Sequence, residues 1–472
     1  MPLTKTRKKL KISVRQGVLL VLLAFLLYLI LGTVLPFLHH PKVSAETRAG
    51  FEAQEFRAQG SGSGGRIRCI DDNAEALRWR IRLIESAQRE LIYSTYEFHD
   101  DESGKDVLAA LLAAADRGVR VRLITDGLTG AHRFRKSPYF QAVAAHENIE
   151  VRIYNPPNLL LPWKIQLRLH DKYVIADEHA YLLGGRNTFD LFLGDTSERQ
   201  NIDRELLVYA PEGTPESLLQ VRAYFERIWA EEASRPFSGS SSKKAAEAAQ
   251  TLRSRWAALE KDAAPTDWEA ETFPAGKITL LSGETAPVNK EPAVWYALSE
   301  LMKEGRDIVI QTPYIILSGA MREDLAEICG SADSVRILLN AVENGANPFG
   351  CTDYLNQKEK IWATGAQVYE FSGGNSLHTK TVLIDEDLSI IGSFNLDMRS
   401  AYLDTELMLV VESPELNAQL RAQAAEQQEH SRWQEDGTYV YGPLYQHKGF
   451  TPFKRIVYAL MRVLILPIRH LM

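Results

Sequence analysis

Cysteine is scarce in this sequence. Three residues in 472, Cys69, Cys329 and Cys351, form no Cys-x-x-Cys pair and no repeating interval. That argues against a disulfide scaffold or a thiolate zinc site. It leaves packing roles, with a Cys329–Cys351 bridge as the one conceivable pairing. Acidic residues are missing at both ends: residues 1–15 hold six Lys or Arg and no Asp or Glu, and Gly437 to Met472 hold five and again none. Charge of either sign is missing from the 23 residues between Arg15 and His39. The body is short of positive charge: the net charge is −7 and the first fifteen residues contribute +6, so the remainder carries −13. Binding to nucleic acid rests largely on basic contacts to phosphate, so no nucleic-acid partner is expected. No carboxylate cluster has metal-ligand spacing, and no metal or cofactor is expected.

The uncharged run centred on Val18–Leu31 is long enough to cross a bilayer as a helix, for which about 20 apolar residues suffice. Two readings compete. Val43-Ser44-Ala45 offers small residues for a signal peptidase, but the apolar run exceeds the usual ~7–15 residues of a signal peptide. An uncleaved single-pass anchor is therefore favoured. Its basic flank would stay cytoplasmic, placing the body on the outer face of the cell membrane. Residues 1–38 are thus read as basic N-terminus and anchor, and 39–65, ending Gln59-Gly60-Ser61-Gly62-Ser63-Gly64-Gly65, as a flexible linker.

From Ile67 onward, strand-like runs alternate with helical ones. Glu90–Tyr93, Val119–Ile124 and Ile149–Tyr154 have strand character, and Asp106–Ala115 helical character ended by Gly118. The order repeats after a Ser/Lys-rich boundary at 238–244, with strands at Lys277–Leu281, Asp307–Gln311, Val335–Leu339 and Gln367–Phe371. The expectation is an α/β fold of two duplicated α/β/α halves, at 66–235 and 271–430, joined by a linker at 236–270. The remaining segment, 431–472, is read as a basic amphipathic tail. In it, Phe453, Ile456, Val457, Leu460, Val463 and Leu464 share one helical face, and Lys454, Arg455, Tyr458 and Arg462 the other. Such a helix suits a membrane interface; the alternative is an ordinary helix packed on the body.

The duplication carries chemistry. His170, Lys172, Asp177 and Asn187 recur at the same offsets as His378, Lys380, Asp385 and Asn395, 208 residues later. In a strand, residues two apart share a face, so each His and Lys point together. An acidic triplet follows each set, Asp203-Arg204-Glu205 and Asp404-Thr405-Glu406. About seven extra residues near Phe189–Arg199 form a loop peculiar to the first half. Two imidazoles and two ammoniums converging on one point suit a phosphodiester. The lysines, with Asn187 and Asn395, would hold its oxygens. One His would attack phosphorus, and the other would shuttle the proton. Glu205 and Glu406 are expected to orient the imidazoles through their other nitrogen, and Asp177 and Asp385 to support the site by pairing with a cation or setting a turn. His99 and His179 have no partner motif and are expected at the surface.

These residues resemble the duplicated H-x-K-x4-D signature of the phospholipase D superfamily. Within it the chain is similar to bacterial cardiolipin synthases, in Gly184-Gly185-Arg186-Asn187, in Gly392–Ser400 and in the basic tail. The resemblance implies phospholipid substrates, a membrane partner and a phosphatidyl group carried on a phosphohistidine, with His170 the nucleophile and His378 the acid/base. The alternative within the superfamily is hydrolysis of phospholipid or, less in keeping with the charge, of nucleic acid. Cardiolipin synthases of the best-known type carry two N-terminal membrane helices, whereas this sequence shows one.

Overall fold

The computed structural model describes residues 13–58, 65–261 and 266–472; the basic cluster Lys5–Lys11, the Gly/Ser stretch of the first linker and part of the second lie outside them. Two nine-stranded sheets organise the body. In the first, the order is Phe273–Pro274, Arg66–Ile70, Glu205–Tyr209, Ala180–Gly184, Tyr173–Ala176, Glu90–Thr95, Arg120–Asp126, Ile149–Tyr154, Ser234–Phe237. In the second it is Ile278–Ser282, Leu407–Glu412, Leu388–Gly392, Thr381–Ile384, Asp307–Gln311, Ser334–Asn340, Gln367–Phe371, Ser431–Glu435, Thr438–Tyr441. The first seven strands of the second sheet repeat the second to eighth of the first. Both sheets hold three adjacent parallel strands, 90–95/120–126/149–154 and 307–311/334–340/367–371.

Local chemistry sets the connections. Helix Glu102–Asp116 starts where Asp101 accepts a hydrogen bond from the Gly104 N–H, and stops at Gly118, whose φ of +91° no branched residue adopts cheaply. Each outer face of the pair of sheets has its own apolar core, and a third core lies between the sheets. That central core draws Ile92, Ile124 and Leu183 from one half and Val309, Leu338 and Leu383 from the other, with Tyr224 and Leu420 from flanking helices. Arg204, almost fully buried, ties the halves together through Asp71, Gln311, Thr381 and Gln423. Two short parallel pairings, Asn201–Ile202 with Ser376–Leu377 and Leu169 with Thr405, lock the register where the halves meet.

Two expectations need correction, the free first linker and the surface placement of His99. The first linker is not a free tether over its described part. Helix Ala45–Glu52 is capped by Ser44, whose N–H is held by Glu291 at 2.8 Å; Phe51 and Phe56 pack on the second half's core, and Arg57 pairs with Asp387 at 2.7 Å. The segment between the halves forms helix Lys243–Lys261, which packs on Glu102–Asp116 and Pro138–Ala144 through Ala245, Ala248 and Leu252, apolar at helical spacing. Cys329 and Cys351 are free thiols, which leaves them the packing roles read from the sequence. His99 is not a bare surface residue: it is hydrogen-bonded to Glu97 at 2.6 Å and stacks on Phe189 at 4.1 Å.

Helix Val14–Val34 lies outside the body, with none of its residues buried, and Val14–Phe37 is long and apolar enough to cross a membrane. The tail helix Pro452–Leu464 is docked the opposite way round from a soluble amphipathic helix. Tyr458 is buried, Val457 packs on the core and Arg462 bonds Asn356, while Phe453, Ile456, Leu460, Val463 and Leu464 are each more than 60% exposed.

Candidate active site

Each His-x-Lys lies just ahead of a hairpin, Tyr173–Ala176 with Ala180–Gly184 in one half and Thr381–Ile384 with Leu388–Gly392 in the other. Asp177 and Asp385 occupy the hairpin turns, with φ of +50° and +49°. Asp177 accepts the N–H groups of Gln88, Arg89 and Glu90, and Asp385 those of Arg306 and Asp307. The seven residues from His170 to Asp177 put these carboxylates roughly 20 Å along the strand from the imidazoles. They close turns at the far end of each hairpin and take no place beside the imidazoles and ammoniums.

The two motifs meet across the boundary between the halves, and each histidine is gripped by the opposite half. His170 Nδ1 is 2.8 Å from Glu406 Oε1, and its backbone N–H donates to Thr405 Oγ1 at 3.0 Å. His378 Nδ1 is 2.6 Å from Asp203 Oδ2, and its backbone N–H donates to the Ile202 carbonyl at 2.7 Å. The expectation for Glu205 is thereby overturned. Glu205 is buried in an ion pair with Arg80 and stands near Arg186. The residue that holds His378 is Asp203, two positions earlier.

The exchange has a steric cause. At Gly185 an added Cβ would stand 2.5 Å from Asp203 Oδ1, so the missing side chain makes room for that carboxylate. The second half has Ser393 there, and its hydroxyl donates to Glu406 Oε2. Ser400 donates to Glu406 Oε1 at 2.6 Å. Asp404, the counterpart of Asp203, is drawn instead to Arg399 at 3.0 Å. The pseudo-twofold site therefore pairs one His with Asp and the other with Glu.

Burial shapes the electrostatics. Lys172 and Lys380, both nearly solvent-free, are pushed down to about 8 by loss of hydration. Burial, reinforced by Lys172, holds His170 well below the usual imidazole range; burial and Lys380 bring His378 down to about 4. Both rings are thus neutral at pH 7. Burial works against Asp203, but Lys380, His378 and Arg186 outweigh it and hold the carboxyl at about 2. For Glu406 burial wins, raising it to about 7 despite Lys172 and the two serines.

Lys172 donates to the His170 carbonyl; Lys380 donates to that of His378 and lies 2.7 Å from His378 Nδ1. Asn187 and Asn395 are buried, and the side-chain oxygen of each has no hydrogen-bond partner, an unsatisfied group of the kind a ligand fills. Aromatic rings wall the site: Tyr96 lies 5.2 Å from the His170 ring, and Phe192, from the extra loop, 4.9 Å from His378. Neither aromatic belongs to the repeated motif. A cavity of about 250 Å³ flanks the centre, lined by Gln166, Tyr314, Asp397, Arg399 and Leu471 among others.

A duplicated α/β body with one composite His/Lys site defines a phospholipase D-like enzyme. The family model described as "Cardiolipin synthase, PLD-like domain" matches residues 81–229 and 298–427, more than half of the chain. The chain belongs to that family of phospholipid-modifying enzymes. It is 27% identical over 416 residues to cardiolipin synthase C of Escherichia coli (strain K12), covering 77% of this chain and 85% of the relative. It is 25% identical over 404 residues to cardiolipin synthase A of Salmonella arizonae, covering 81% and 73%. Among solved structures, the phosphatidylserine synthase of Haemophilus influenzae Rd KW20 shares the fold, with a TM-score of 0.63 and 16% identity over 90% of this chain and 99% of that one.

Proposed function

We propose that the chain is a membrane-anchored phosphatidyltransferase of cardiolipin synthase type. The observation that carries this reading is the pair of imidazoles, each clasped at Nδ1 by a carboxylate of the other half, so that neither carboxylate occupies Nε2, which at His378 lies 3.3 Å from the Lys380 ammonium. His170 Nε2, neutral through burial, attacks the phosphorus of a phosphatidyl donor. The P–O bond to the headgroup alcohol breaks as protonated His378 gives that oxygen its proton, leaving a phosphohistidine. A lipid hydroxyl then enters, His378 takes its proton, the oxygen attacks phosphorus and the N–P bond breaks. Lys172, Lys380, Asn187 and Asn395 hold the non-bridging oxygens. The ionised Asp203 favours the imidazolium on His378, and an arriving phosphodiester adds a second negative charge that raises His378 from its low resting value. This division assigns nucleophile and acid/base to the two unequal dyads.

Helix Val14–Val34 is the proposed single-pass anchor, with its N-terminus cytoplasmic and the body on the outer face. The test is purified protein in lipid nanodiscs with phosphatidylglycerol labelled on phosphorus. Cardiolipin should accumulate, the parent protein quenched during turnover should carry label in an acid-labile bond, and the His170→Ala variant should carry none. Phosphatidic acid in place of cardiolipin would replace transfer with hydrolysis; unchanged lipid would refute the reading.

A further inference from the structure

Residues 156–164, between the strand Ile149–Tyr154 and the first histidine, run alongside the anchor helix. The Tyr28 hydroxyl donates to the Leu160 carbonyl at 2.8 Å, and the backbone at Gly32 lies so close that a Cβ there would stand 2.5 Å from Pro162 Cγ. Tyr28 is six residues inside Val34, a rise of about 9 Å along the helix. One leaflet of hydrocarbon is about 15 Å deep. Any bilayer that surrounds the anchor also surrounds this segment.

The segment has the chemistry for that environment. Leu159 is 57% exposed, Leu160 71% and Trp163 36%, three large apolar side chains in five residues. Irregular backbone survives in hydrocarbon only where its polar groups are paired internally. Here Pro156, Pro157 and Pro162 carry no N–H. The Leu160 N–H donates to Asn158 Oδ1 at 2.9 Å, Leu161 to the Asn158 carbonyl at 3.0 Å, and Lys164 to the Leu161 carbonyl at 3.0 Å. The neck is clamped by buried Asn155, whose Nδ2 donates to the Lys164 and Leu167 carbonyls at 2.7 Å each, and by Arg168, which donates to the Asn155 and Lys164 carbonyls at 3.0 Å. The chain just beyond the tail helix reaches the outer end of the anchor, where His470 Nε2 lies 3.2 Å from the Val34 carbonyl.

We propose that residues 156–164 are a prong embedded in the lipid leaflet beside the anchor, which fixes the mouth of the active site at the bilayer surface so that phospholipid enters sideways. His170 follows the prong by six residues, and Gln166 between them lines the cavity next to Arg399. This rests on the membrane-anchored reading above. The occupant is the acyl region of a bilayer, with Trp163 and Lys164 at the headgroup level.

The test uses the full-length protein in nanodiscs, with an environment-sensitive fluorophore on Leu160→Cys, on Leu23→Cys in the anchor, or on Glu147→Cys on the body, and the unsubstituted protein as labelling background. Leu160→Cys is expected to be quenched by spin-labelled lipid and shielded from aqueous iodide, as Leu23→Cys is, while Glu147→Cys shows the reverse. Leu159→Asp/Leu160→Asp should raise KM for lipid presented in bilayers by about tenfold or more, with turnover of a dispersed short-chain lipid within about twofold of the parent. Iodide quenching of Leu160→Cys with a lipid-quenched Leu23→Cys would overturn the prong. Absence of lipid quenching at Leu23→Cys would remove the anchor and the prong together. The quenching needs no turnover, so failure of the proposed chemistry would leave it intact and separately visible.

Discussion

Asp203 and Glu205 stand two residues apart on one buried segment, and the structure assigns them opposite work, so substituting each should separate chemistry from stability. In Asp203→Asn the ring of His378 keeps a neighbour of the same shape but loses the charge that favours its imidazolium. Loss of effective acid/base action should lower kcat by about 10²- to 10⁴-fold. The stability cost follows from the carboxyl being held at about 2 against an ordinary 3.8. That difference corresponds to roughly 2 kcal/mol at neutral pH. The sign is that of a depressed carboxyl: the contribution is complete above the unfolded value and is lost as pH falls from about 4 through about 2. Glu205→Gln leaves Arg80 buried without its counter-charge, the guanidinium being 3% exposed and the carboxylate 1%. Breaking such a pair costs about 3–5 kcal/mol, while the dyads at His170 and His378 stay intact. Denaturant titration in detergent with turnover of the folded fraction measures both quantities. A Glu205→Gln protein with parental stability and kcat reduced as far as in Asp203→Asn would refute the assignment.

Two further outcomes follow from the geometry. The turn aspartates should matter for folding alone: Asp177→Ala loses three N–H partners and forces alanine to φ +50°, a cost of about 2–3 kcal/mol by denaturant titration with kcat of the folded protein unchanged. The lysines predict an alkaline limb of kcat/KM near pH 8, well below an ordinary lysine, as Lys172 and Lys380 give up their protons. Because their folded values are lowered, the folded state holds fewer protons there, so stability relative to Lys172→Met should rise across pH 8–9.5 while activity falls.

The duplicated halves were legible because strand and helix periods recur in the same order around two sets of equal offsets. The partner of His378 was not. Both acidic triplets contain an Asp and a Glu at equal spacing, and symmetry favours the same member in each. What decides is the space beside it, and the readable trace of that space is Gly185 opposite Ser393. The aromatic walls escaped for another reason: Tyr96 follows the strand Glu90–Thr95, distant in sequence, and Phe192 sits in an unmatched loop, so no repeat marks them. The tail's apolar residues were visible, but its docking through the polar face depends on Asn356 and on the core around Tyr458. The interval 39–65 looked featureless because its contacts, Glu291 and Asp387, lie on distant segments.

The crossed grip on the histidines also bears on how the enzyme comes into being. His170 and Glu406 are 236 residues apart, so a chain still being synthesised carries the first His-x-Lys long before its carboxylate exists. The first half by itself holds an imidazole without the carboxylate that orients it. Catalytic competence arrives late and all at once, when the second half closes on the first. The division of the site between the halves thus makes its assembly a late event of folding, since neither half holds a complete His–carboxylate pair by itself.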